Sequence, residues 1–202
     1  AKDVQQAYKD AIKAFYDAGC RYLQFDDVYW GSLCNNHLKP EFEADKAQAL
    51  ENIQVILAAK PADMVITTHV CRGNFRSTYL LTGAYDPIAD ALFGQTQYDG
   101  YFLEYDDERS GGFEPLKHFA NNPYKGRVVL GLISSKFPEL EDKAAIKARI
   151  KEATQYVPLE QLCLSPQCGF ASTEEGNIMT EAQQWAKVRY VEEIAKEVWG
   201  ED

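Results

Sequence analysis

The stretch MVITTHVCRG (64–73) reads as a strand: a short, β-branched and aliphatic run that closes on two polar residues two positions apart, His69 and Cys71. Side chains alternate across a strand, so residues at i and i+2 point to one side and can grip a single ion. Two other strand-like runs end in the same manner. GYFLEYDD (100–107) carries Glu104 near its end, and LCLSPQCG (162–169) carries Cys168. An imidazole, two thiolates and a carboxylate on one ion suit zinc best. The chain therefore reads as a zinc-dependent enzyme with His69, Cys71, Glu104 and Cys168 as metal ligands.

Working outward, the same pattern repeats. Apolar residues at helical spacing from Val4 to Phe15 precede Gly19, a helix-ending signal, and then the run RYLQFDD (21–27). The polar segment WGSLCNNHLKP (30–40) reads as a loop, and FEADKAQALENIQVILAAK (42–60) as a helix stopped by Pro61. Strand 64–70, helix 86–95, strand 100–106, a short helix at 113–120, strand 127–134, helix 138–156, strand 161–165 and a helix from about Met179 to Trp199 complete the chain. Five strands alternating with six helices imply a parallel sheet covered by helices. The polar residues gather at the strands' carboxyl ends: Asp26 and Asp27, His69 and Cys71, Glu104, Ser134 and Ser135, Cys168. Several strand ends contributing at once favours a TIM-type (β/α)8 barrel over a doubly wound sheet, whose site sits at one switch point. No Gly-rich dinucleotide fingerprint follows the first strand.

A barrel needs eight strands and usually about 250 residues. This chain has 202 residues, begins without Met inside a helical pattern, and is expected to be the carboxyl-terminal portion of one barrel domain, about its last five strands, truncated at the amino end. An unclosed sheet leaves an edge through which the chain is expected to self-associate. The formal net charge of −10 leaves no basic stripe for nucleic acid, and no run approaches the apolar length of a membrane span. Five cysteines without disulfide-framework spacing fit a reducing, cytoplasmic setting.

Four motifs in order, LQFDD, THVC, FLEYDDERSG and LSPQCG, resemble the cobalamin-independent methionine synthase family, specifically its carboxyl-terminal catalytic barrel and short single-barrel relatives. The resemblance implies that His69, Cys71, Glu104 and Cys168 bind a catalytic Zn2+ and that Asp26 holds the amino group of homocysteine. It further implies that Arg109 and Ser110, in the loop DDERSGG, approach the substrate. The reaction implied is methyl transfer from a methyltetrahydrofolate-type donor to the homocysteine thiol, forming methionine, with this small thiol and the methyl donor as partners. One departure stands out: where the family has a proton-delivering His in an I-H-S-P context, this chain reads LISSKFPE, with Ser134 at that place and Ser135 and Lys136 as candidate substitutes. A different methyl donor, a corrinoid among them, or a catalytically incomplete zinc-binding fragment is the alternative.

Plainer readings stand beside these. A lone His-x-Cys pair is more often packing than ligation, and Asp26 or Asp27 can simply cap the following loop. Cys20 and Cys163 read as small core residues, Cys34 and His37 as loop residues near the site mouth, and His118 as a helix-end residue. Loop 106–112 reads equally well as solvated acidic surface, and the charged helices 139–156 and 181–202 as outward faces.

Overall fold

A computed structural model describes residues 1–200. Its elements in chain order are α1 (Lys2–Asp17), β1 (Tyr22–Asp26), α2 (Val28–Asn35), α3 (Phe42–Leu57), β2 (Val65–Val70), α4 (Asp86–Gln95), β3 (Gly100–Glu104), β4 (Arg127–Gly131), α5 (Lys143–Ala153), β5 (Leu162–Ser165) and α6 (Glu181–Trp199). Three 3₁₀ segments lie at Glu108–Ser110, Glu114–Asn121 and Leu159–Gln161. The strands form one five-stranded sheet in the order β1-β2-β3-β4-β5, every pairing parallel. This is the α/β architecture expected of part of a (β/α)8 barrel: neighbours in sequence are neighbours in the sheet, and helices link successive strands.

Local chemistry sets the element ends. Gly19, at φ +96°, closes α1 in a Schellman arrangement: its N–H donates to Tyr16 O at 2.9 Å, and Cys20 N–H donates to Phe15 O at 2.9 Å. Thr180 and Gln183 form a capping box at the start of α6, and the Asp142 carboxylate caps α5. β2, β3 and β4 are buried almost throughout, as central parallel strands must be, whereas β1 is half open and Tyr22 on it is exposed. The edges of the sheet are β1 and β5.

Several expectations need correction. Segment 30–40 is not a loop: its first half belongs to α2, capped by the Asp27 carboxylate accepting the Tyr29 N–H at 3.0 Å. Burial of Trp30, Leu33 and Cys34 outweighs the weak helix preference of Gly31 and Asn35. Cys34 therefore sits in the core rather than at a loop mouth, and burial pushes its thiol up to about 11. The short helix at 113–120 is 3₁₀ rather than α. The helix expected over 138–156 starts only at Lys143, because Glu141 turns its carboxylate inward. That carboxylate accepts the Ser134 N–H at 2.7 Å and the Lys187 ammonium at 3.0 Å. Lys187 is fully buried, so α6 is not simply an outward charged face. Among the described residues no helix is long and apolar enough to cross a membrane.

The packing of α2 bears directly on the end of β2. Gly31 is buried, and a Cβ placed on it would lie 2.3 Å from the carbonyl oxygen of Cys71. Only glycine permits this approach. Gly31→Ala should destabilise the chain by about 1–3 kcal/mol, the usual range for overpacking a core, read as a lower urea midpoint in chemical denaturation. An unchanged midpoint would mean that α2 moves aside without cost.

Candidate metal centre

The register of parallel strands assembles the site. Asp26, the last residue of β1, pairs with His69 of β2, while Glu104 ends β3 beside Gly131 of β4. Cys71 follows β2 immediately, and Cys168 lies in the turn after β5, which Gly169 closes with φ +119°. One ligand atom from each of His69, Cys71, Glu104 and Cys168 falls in a group whose members all lie within 4.8 Å of one another. His69 Nε2 is 3.1 Å from Glu104 Oε1 and 3.9 Å from Cys168 Sγ. Cys168 Sγ is 2.9 Å from Glu104 Oε1 and 3.5 Å from Cys71 Sγ. A tetrahedral zinc with ligands at 2.0–2.3 Å holds them roughly 3.3–3.8 Å apart, so the set fits such an ion with small adjustments.

A surrounding shell orients each ligand. His69 Nδ1, the nitrogen turned away from the cluster, is 3.1 Å from Asp26 Oδ1. A carboxylate behind the imidazole is the usual device for fixing the tautomer of a metal-binding His. Glu104 uses Oε1 toward the cluster, where it also accepts the Arg72 N–H at 3.1 Å, and Oε2 toward Arg109 Nη2 at 3.0 Å. Arg109 is further held by Asp106 at 2.8 Å. The Tyr85 hydroxyl accepts the Glu104 N–H at 3.0 Å, and the Cys71 sulfur accepts the Gly73 N–H at 3.3 Å.

Electrostatics follow from crowding these groups together. Burial disfavours charge on His69, yet its bonds to Asp26 and Glu104 prevail and hold its pKa up at about 9. Burial likewise works against the Glu104 carboxylate, but the His69 hydrogen bond and the Lys136 charge bring it down to about 2. The two thiols act as a pair. The hydrogen bond between them draws Cys71 down to about 7 and pushes Cys168 up, so Cys71 is the first to become a thiolate. A carboxylate and two thiols converging with an imidazole make a cluster suited to a cation.

The sequence-derived candidates thus divide. His69, Cys71, Glu104 and Cys168 come together, and Asp26 stands behind His69 with most of its carboxylate still in solvent. Capping of the following helix falls to Asp27 and not to Asp26. Ser110 is buried in the turn after β3, its hydroxyl without a hydrogen-bond partner, and is outside the four-ligand group. Arg109 braces Glu104. Arg72 and Tyr85 were not singled out in the sequence. Arg72 is fully buried, with its guanidinium 4.4 Å from the Tyr85 ring centroid and Nη1 donating to Gly83 O at 2.8 Å. The only sequence sign was an arginine placed directly after a candidate ligand.

Comparison with known proteins places this geometry in context. Residues 1–196 match the family model described as the catalytic domain of cobalamin-independent synthase. YxjG of Bacillus subtilis, whose function is uncharacterized, is 52% identical over 204 residues, covering 98% of this chain and 53% of that protein. The 5-methyltetrahydropteroyltriglutamate–homocysteine methyltransferase of Cronobacter sakazakii is 25% identical over 169 residues, 84% of this chain and 20% of that one. A solved structure from Listeria monocytogenes, provisionally assigned as a vitamin-B12-independent methionine synthase, superposes with a TM-score of 0.77 at 49% identity. It covers 98% of this chain and 54% of its own. The chain thus spans about half the length of the most similar of these relatives.

Two outcomes are expected. Zinc must displace protons from His69 and Cys168, both protonated at pH 7, whereas Glu104 is already ionised. Binding at pH 7 should release about two protons, with Cys71 adding a fraction. Apparent affinity should climb as pH rises toward 9, where His69 loses its proton; calorimetry in buffers of different ionisation enthalpy measures both. Asp26→Asn, which keeps the shape but weakens the bond to His69 Nδ1, should lower zinc affinity by about 10- to 100-fold in a chelator competition.

Proposed function

The chain belongs to the cobalamin-independent synthase family, as part of its catalytic domain, and on that premise we propose that it transfers a methyl group to the thiol of homocysteine. The observation that carries this reading is the group of four soft and hard ligands, His69, Cys71, Glu104 and Cys168, at the carboxyl ends of parallel strands. These four residues would hold zinc. Bound there, zinc supplies the Lewis acidity that lowers the pKa of an acceptor thiol and leaves the sulfur a thiolate at neutral pH.

The chain's own residues would do the rest. The exposed side of the Asp26 carboxylate offers a partner for the ammonium of an amino-acid thiol, while its other oxygen steadies His69. Arg109 grips Glu104 through Oε2, so the carboxylate stays aligned whatever occupies the space before Oε1. The Ser110 hydroxyl is fully buried without a partner, and a substrate polar group would reach it only with movement of the turn that carries it. In the transfer a sulfur–carbon bond forms as the methyl's bond to its donor breaks, and the donor atom keeps the electron pair. The same reading makes this chain the carboxyl-terminal part of one (β/α)8 barrel, with β1 and β5 as the edges that further strands, or a second copy, would join.

The favoured donor is of the methyltetrahydrofolate type. A nitrogen leaving group must gain a proton, and the position of the family's proton-delivering His is Ser134 here. Ser134 is engaged otherwise: its N–H donates to Glu141 and its Oγ accepts the Lys136 N–H at 3.3 Å. This favours, as a second reading, a corrinoid donor, because cobalt departs with the electron pair and needs no proton.

Metal analysis of the purified chain beside Cys71→Ser and Cys168→Ser, followed by methionine formation from homocysteine with each donor, tests the proposal. About one zinc per chain is expected, lost in both variants. Methionine from methylcobalamin alone would select the second reading. A chain fully loaded with zinc that yields methionine from neither donor would reduce the function to metal binding.

A further inference from the structure

Strand register brings His69 and Glu104 together, but it carries the two thiols only part of the way. β2 and β5 are separated in the sheet by β3 and β4; Cys71 lies just past the end of β2, and Cys168 lies in the turn after Ser165, the last residue of β5. Among the described residues no strand pairing joins the segments that hold them. Their sulfurs nevertheless stand 3.5 Å apart. That is close to the ~3.8 Å between two thiolates, each about 2.3 Å from a tetrahedral zinc. Contacts beyond the sheet must set this spacing.

Two side-chain amides span the gap. Asn74 Nδ2 donates to the Gly169 carbonyl at 2.9 Å and to Ser172 Oγ at 2.6 Å, which ties the segment after Cys71 to the one after Cys168. Asn177 Nδ2 donates to Asn74 Oδ1 at 2.9 Å and to the Ser135 carbonyl at 2.8 Å, and its Oδ1 accepts the Ser77 N–H at 2.9 Å. Both N–H bonds of each amide are thus spent. Flipping either amide would set its oxygen against a backbone carbonyl, so the orientations are fixed. Among the described residues, every hydrogen bond between segments 72–82 and 169–180 involves Asn74, Ser77 or Asn177. Arg76 and Ser77 take left-handed φ values of 47° and 64°, a conformation that non-glycine residues adopt at a cost. The turn holds because Asn177 accepts the Ser77 N–H and Ser77 Oγ accepts the Ile178 N–H at 2.8 Å.

We propose that Asn74 and Asn177 are positioning residues for the metal centre: the paired amides set the distance between Cys71 and Cys168 that zinc would use. Neither amide bonds a ligand side chain, and each acts through the backbone of the turns that carry the thiols. Thiols already held at working distance spare the ion the cost of ordering two loops, which is how preorganised ligands gain affinity. The metal part of this inference rests on the reading of the cluster as a zinc site, whereas the thiol spacing does not.

The metal-free chain tests the spacing by itself. Phenylarsine oxide bridges two neighbouring thiols: two arsenic–sulfur bonds form, and the oxygen leaves as water with both thiol protons. One arsenical per chain should bind tightly, and Cys168→Ser should abolish this. Asn74→Asp keeps the size and the acceptor of Asn74 but turns an oxygen toward the Gly169 carbonyl. It should weaken arsenical binding by about 10-fold, through a lower effective concentration of the second thiol. Asn177→Asp, which keeps its acceptor for the Ser77 N–H, should act alike and serves if Asn74→Asp does not fold. Zinc affinity in a chelator competition should fall in both variants by about 10-fold. Weakened arsenical binding in the variants, beside an unaltered chain that takes up no zinc, would keep the thiol spacing and remove the metal reading. Unchanged arsenical binding in folded variants, even with a lower urea midpoint, would overturn the proposal and leave the two asparagines a general role in loop stability.

Discussion

Glu104 is the group on which the site turns. Its carboxylate is almost completely buried at the end of a central strand, where an isolated negative charge would be expelled or neutralised. It persists as an ion because four donors surround it: His69 Nε2, the Cys168 thiol, the Arg72 N–H and the Arg109 guanidinium. These come from the ends of β2 and β3 and from the turn after β5. Satisfying one carboxylate therefore gathers the segments that carry all the candidate ligands. The parallel register does the positioning, since a slip of one residue in β2 or β3 would turn His69 or Glu104 to the opposite face.

Much of this was legible in the sequence for a simple reason. Parallel strands buried on both faces need continuous β-branched and aliphatic runs, and such runs stand out between helical stretches. A polar residue at the end of such a run is conspicuous, which is why His69, Cys71, Glu104 and Cys168 could be picked out singly and grouped by their common position at strand ends. Their mutual distances depend on register, which the sequence does not display.

Other features were illegible because tertiary contacts decide them. Nothing local in WGSLCNNH announces a helix, and α2 forms because Trp30 and Cys34 find the core and Gly31 fits against the Cys71 carbonyl. Residues 138–142 look helical but are spent on Glu141, which serves Ser134 and Lys187, and on Asp142, which caps α5. The bracing of His69 by Asp26 and of Glu104 by Arg109 follows from strand pairing and a tight 3₁₀ turn, so a motif suggests substrate contact where geometry adds support of a ligand. In the sequence Lys136 stands out only as a substitute for a missing His; its burial and its action on the Glu104 carboxylate emerge from the folded chain alone.

The two sulfur atoms lie 3.5 Å apart, and Cys71 is the one more readily ionised. In the metal-free chain they are a vicinal dithiol with one sulfur poised as the nucleophile, and a covalent bond between them requires an approach of about 1.5 Å to reach the ordinary disulfide length. An ion held between Cys71 and Cys168 occupies the electron pairs that such a bond would use. Metal bound there would thus shield the pair from oxidation, and a pair oxidised by peroxide in its absence would need reduction by a thiol before it could take up an ion.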